Sequence, residues 1–95
     1  MKDKFLKSQE WLDLRQIILD RDNNRCVLCG CSENLNVHHL LYRKFYPDFK
    51  LNEDNLITLC SKHHFSVHKS CGNFLLLQWL RYNRPLQYKF ILDNV

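Results

Sequence analysis

The chain has 95 residues, of which 45% are hydrophobic and 25% charged. That balance excludes a disordered or fibrous polymer and predicts one small globular domain, residues 1–95. Its net charge of +4 is mild, so it permits a phosphate-rich partner without demanding one.

A chain of this size buries only ~60–65% of its unfolded surface and commonly needs a metal or disulfide staple. The stretch "MKDKFLKSQEWL" has no apolar run behind its charges, which predicts no secretory signal. The longest apolar run, "FLLL", falls far short of the ~20 residues that span a bilayer. A cytoplasmic protein with no membrane partner is therefore expected. In reducing surroundings its five cysteines favour metal binding over disulfides.

Along the chain, Ser8 predicts a helix N-cap. Trp11, Leu14 and Ile18 follow at helical spacing, so a helix is expected from about Gln9 to Arg21, stopped by "DNN". Next, "CVLCGC" predicts a tight turn at Gly30. "LNVHHLLY", residues 35–42, reads as a strand. Adjacent strand residues point to opposite faces, so for His38 and His39 to share one site the strand is expected to stop or bulge there. "RKFYPDFKLNEDN" reads as an irregular connector. Tyr42, Phe45, Tyr46 and Phe49 are expected to pack on the core, with base stacking as the alternative. "LITLC" predicts a second strand, and Ser61 the cap of a helix through "KHHFSVHK". The tail, about 73–95, predicts a helix, a turn at "NRP" and a second element. "FLLLQWLRYN" is apolar nearly all round. It is expected to pack on the domain, the alternative being a homodimer or a phage or host partner surface.

All five histidines and all five cysteines lie between Cys26 and Cys71. Cys26 and Cys29 form a C-x2-C, and Cys60 and His63 a C-x2-H. Two close pairs separated by a long loop suit the four tetrahedral nitrogen and sulfur ligands of a structural Zn2+. Cys31 and Cys71 stand as alternative ligands or as small buried thiols. The remaining histidines are His38, His39, His64 and His68. On a helix His64 and His68 share a face, while His63 is rotated by roughly 100° from His64. One helix start can therefore serve two metals.

The order C-x2-C-G, "LNVHHLLY", "EDNLITLC", "CSKHHFSVH" resembles the HNH endonuclease family. The leading "SQEWLDLRQIILDRDNNRCVLCG" is similar to the segment before that motif in small stand-alone and phage-encoded members. The resemblance covers about Ser8 to Lys69 and implies an α+β fold. That fold is a small, treble-clef-like ββα-metal unit (core motif 26–69) with flanking N- and C-terminal helices. By position, the resemblance implies His38 as first metal ligand, His39 as general base and Asn55 as the middle asparagine that braces the base. It implies His64 as the last motif histidine and His68 as a further ligand of the histidine-rich branch. The cofactors implied are the structural Zn2+ and one catalytic divalent cation. Mg2+, Mn2+, Ni2+, Co2+ and Zn2+ are all open for that cation, with imidazole ligands favouring the borderline metals. One departure is that His63 stands where many zinc-containing members have a second C-x2-C.

The partner implied is DNA. Arg43 and Lys44 are the leading phosphate contacts, with Arg25, Lys62, Arg15 and Arg21 also flanking the motif. The function implied is a metal-dependent endonuclease or nickase. Two alternatives stand beside it: a non-catalytic, zinc-stapled nucleic-acid-binding module, and an inert structural metal protein within a larger assembly.

Overall fold

The structure, a computed structural model, describes residues 4–67 and 72–95. The expectations for His68 and Cys71 lie outside these residues. The described chain is a small α+β fold with four helices and a two-stranded antiparallel sheet. In order these are α1 (Gln9–Arg21), β1 (Leu35–His39), β2 (Leu56–Cys60), α2 (Ser61–Val67), α3 (Gly72–Asn83) and α4 (Pro85–Asn94). Short 3-10 turns occupy Phe5–Lys7, Pro47–Phe49 and Glu53–Asn55. No helix among the described residues is long and apolar enough to cross a membrane.

α1 begins where the Ser8 hydroxyl accepts from the Trp11 N–H at 3.3 Å, a cap worth ~1 kcal/mol. It ends where Asn23 and Asn24 turn left-handed, at φ 60° and 53°, a region asparagine tolerates better than most residues. β1 pairs with β2 in regular register, His38 opposite Ile57 and His39 opposite Leu56. The sheet is covered on both sides. Val37 and Leu56 pack with Trp11, Ile18 and Leu19 of α1. Ile57 and Leu59 pack with Val67 of α2, Leu76 and Leu80 of α3, and Ile91 of α4. Leu56 and Ile57 thus enter different clusters, as strand alternation requires.

A buried carboxylate ties the layers together. Asp22, 5% exposed, accepts from Arg21 at 2.9 and 3.1 Å, from Arg84 at 2.6 Å and from the Thr58 N–H at 3.0 Å. It therefore joins the end of α1, the middle of β2 and the residue before α4. Burial works against its charge, but the two guanidiniums outweigh it and hold the carboxyl below its ordinary 3.8.

Several expectations are corrected. The first strand stops at His39, where a stop or bulge was expected, so residues 40–42 are not part of it. The Leu40 N–H still donates to the Asn55 carbonyl at 2.8 Å, and at the following residue a side chain takes over: Asn55 Oδ1 accepts from the Leu41 N–H, and Asn55 Nδ2 donates to the Leu41 carbonyl. Ser61 does not stand ahead of α2 but is its first residue, because β2 runs straight into that helix. The Ser61 hydroxyl donates to the Asn34 carbonyl at 3.1 Å. Arg21 is committed to Asp22 and to the Glu53 and Leu56 carbonyls, so it is withdrawn from the phosphate candidates. Cys31 is exposed rather than buried. Tyr46 and Phe49 pack on the core, whereas Tyr42 and Phe45 remain exposed. The tail buries Leu76, Leu80 and Ile91 but leaves Phe74, Leu75, Tyr82 and Leu86 exposed.

Candidate metal centre and basic cleft

The turn after α1 and the β2–α2 junction bring four donors together. The ligand atoms of Cys26, Cys29, Cys60 and His63 all lie within 4.8 Å of one another. Cys29 Sγ is 3.8 Å from Cys60 Sγ, and His63 Nδ1 is 3.4 Å from Cys60 Sγ and 3.6 Å from Cys26 Sγ. A tetrahedral zinc with arms of ~2.3 Å to sulfur and ~2.05 Å to nitrogen has edges of about 3.8 Å (S–S) and 3.6 Å (S–N). The four groups therefore fit a single tetrahedral ion and can bind metal.

Local backbone makes this arrangement. Gly30, at φ 79°, curls the chain so that its N–H donates to the Cys26 carbonyl at 2.8 Å. At Cys60, burial pushes the thiol up, but the His63 backbone N–H and ring, then the Cys29 and Cys26 thiols, pull it down to about 6. At Cys29 the Cys31 N–H favours the thiolate, yet desolvation and the crowding of Cys26 and Cys60 leave the thiol above its ordinary 9.0. Crowded sulfurs resist joint ionisation, and a bound cation removes that conflict. Cys31 points its Sγ at the Glu33 carbonyl, 3.7 Å away, and stands outside the four.

One residue along α2, His64 serves a second place. Its ring centroid lies 5.2 Å from that of His38, edge to face. His39 faces the other way, stacked on Trp11 of α1 with centroids 5.0 Å apart and planes 23° apart. The two neighbouring histidines thus diverge, as alternation demands, with no bulge in the register. Both nevertheless line one open cleft of about 580 Å³, because that cleft reaches from α1 past β1 to His64 of α2. Arg15, Arg43 and Lys44 line it too, and no described carboxylate does. Arg25 and Lys62 are exposed and lie outside the lining; Arg25 donates to the Gly30 carbonyl at 3.2 Å.

His39 is held from two directions. Its Nε2 is 3.0 Å from the Lys50 carbonyl oxygen. A carbonyl only accepts, so Nε2 carries the proton and the neutral ring keeps Nδ1 as its acceptor. Burial lowers its pKa below the ordinary 6.5; the Lys50 carbonyl opposes this and Arg43 adds to it. Asn55, fully buried, braces the same loop, since its Nδ2 also donates to the Phe49 carbonyl at 3.1 Å. Phe5 completes the surroundings, 5.2 Å from Trp11 and 6.0 Å from His39. Arg43 and Lys50 sit over the Phe5 ring at 4.8 and 5.1 Å, contacts that keep positive charge beside His39.

No protein-family model, curated protein or solved structure matches this chain.

Sequence reasoning missed three parts of the cleft. Trp11 was read only as core, although its indole also orients His39. Arg15 was a flanking charge, with nothing local to set it beside the histidines. The Lys50 carbonyl carries no sequence signal, because any residue supplies a carbonyl.

Proposed function

We propose that this chain is a metal-dependent endonuclease or nickase of the HNH type that hydrolyses DNA phosphodiester bonds. The observation that carries the reading is the tethered His39: a neutral imidazole with Nδ1 left as acceptor, in a cleft lined by cations and no described carboxylate. In this reading Nδ1 takes a proton from water as the water oxygen bonds to phosphorus. The P–O3′ bond breaks, and a proton from solvent completes the 3′ hydroxyl. Arg43 and Lys44 hold the flanking phosphates. The stacked Trp11 and the Lys50 carbonyl fix the imidazole in one tautomer, and Asn55 steadies the loop that presents that carbonyl.

His38 and His64, with His68 as third donor, would hold a divalent ion. When bound, that ion supplies positive charge to the scissile phosphate and the departing oxygen. Imidazole donors suit Zn2+, Ni2+, Co2+ or Mn2+ better than Mg2+. Cys26, Cys29, Cys60 and His63 would hold a separate structural Zn2+.

Supercoiled plasmid, incubated with purified protein across a panel of divalent ions, tests the reading. The wild type is expected to yield open circles. His39→Ala is expected to lose about 100- to 10,000-fold in rate while keeping its far-ultraviolet circular dichroism. Undiminished nicking by the variant in every ion overturns His39 as base. A complete Cys3His set beside a basic cleft also supports a second reading, a zinc-stapled module that binds nucleic acid without turnover. Retarded gel bands with no cleavage in any ion decide for that one.

A further inference from the structure

We propose that the cleft takes an unpaired nucleotide of single-stranded DNA, and that its exposed leucines give it a preference over duplex. The choice of DNA rests on the nuclease reading above. The cleft pairs two chemistries that a duplex does not present together. Arg15, Arg43 and Lys44 line it with no described carboxylate among them, which selects an anion. The same cleft exposes apolar surface. Leu6, from the 3-10 turn, is 44% exposed, Leu12, from α1, is 46%, and Tyr42, from the segment after β1, is 38%.

A duplex lying across the cleft offers phosphates and sugars outward and keeps its base faces stacked inside. Such a rail satisfies the cations and leaves the leucines and the tyrosine against water. A single strand offers phosphate and base face together, and bases stack on aromatic side chains irrespective of sequence. Covering the exposed leucines with a base face also removes apolar surface from water, which favours binding. Size agrees: about 580 Å³ falls within the ~300–1,000 Å3 of pockets that enclose one small organic ligand.

The test is fluorescence anisotropy with a labelled 12-nucleotide strand and the same sequence as a duplex, in buffer without added divalent ion. Single strand is expected to bind at least tenfold more tightly than duplex. Leu12→Ser, an exposed change that leaves the core intact, is expected to weaken single-strand binding about fivefold and leave duplex binding unchanged. Arg43→Ala is expected to weaken both. Equal or tighter duplex binding overturns the proposal, as does equal loss on both substrates in Leu12→Ser. The outcome is independent of turnover. Single-strand preference without cleavage in any ion supports this proposal while removing the nuclease, and cleavage without that preference does the reverse.

Discussion

At the scale of the residue, Asn55 carries more of the structure than its type suggests. Its side chain accepts from the Leu41 N–H at 2.6 Å and donates to the Leu41 and Phe49 carbonyls at 3.0 and 3.1 Å. It acts as an extra rung of the sheet and as a tie to the loop holding His39. Removing it strands three polar groups, the Leu41 N–H and C=O in buried bonds and the Phe49 carbonyl in a part-buried one. Each orphaned group costs ~1–3 kcal/mol, and relaxation recovers part of that. Asn55→Ala should therefore lose about 3 kcal/mol of stability in urea unfolding. Asn55→Asp should be no better, since a carboxylate cannot donate to two carbonyls. A midpoint within error of the wild type for either variant refutes the brace. The sequence marks Asn55 only through its place in the motif. Its partners lie six and 14 residues away in the chain, and nothing in its immediate neighbours predicts them.

Among the elements, α1 was fully legible because its cap, its apolar stripe and its stop are all local signals. β2 was legible as a short β-prone run. The end of β1 was legible in part: strand alternation at the adjacent histidines predicts a stop or bulge there, and the strand does stop at His39, but the Asn55 side chain that binds Leu41 just beyond it has no local signal. Equally hidden was the Arg21–Asp22–Arg84 knot, since Arg84 is 62 residues from Asp22. That knot makes the docking of α1, β2 and α4 sensitive to pH. Asp22 has a folded pKa below its unfolded value of about 3.8. Its contribution is fully present above that value and is lost as pH falls through the folded pKa. Asp22→Asn removes the charge at every pH and leaves both arginines without their carboxylate. At pH 7 it should lower the melting temperature. Breaking a buried pair costs ~3–5 kcal/mol, less here because both arginines are partly exposed. The gap between wild type and variant should close as pH drops below about 3.8. A gap constant from pH 7 to pH 2 would show that the ion pairs contribute nothing.

Across the whole molecule, the Cys3His cluster gathers segments that the sheet, the core and the Asp22 knot already bring together. It joins the turn after α1, through Cys26 and Cys29, to the β2–α2 junction, through Cys60 and His63. The spacing of the two pairs was enough to find it, since two close pairs on separate segments are a recurring way to supply four tetrahedral ligands. The exposed Cys31 could not be separated from the ligands by spacing alone. Because His63 and His64 are neighbours on α2, the cluster also sets how His64 meets His38. Metal removal should therefore act twice. The purified protein should carry one zinc per chain by elemental analysis. A strong chelator should lower its melting temperature steeply, and added Zn2+ should restore it, since structural zinc supplies apparent folding free energy of order 10 kcal/mol. Cys60→Ser should reproduce the chelated state, and Cys31→Ser should melt as the wild type does. If the proposed function holds, DNA binding at the basic cleft should fall in the chelated protein as α2 loosens and return with zinc. A Cys31→Ser variant as unstable as Cys60→Ser would instead place Cys31 among the ligands. That would release His63 and break the link between the zinc site and His64.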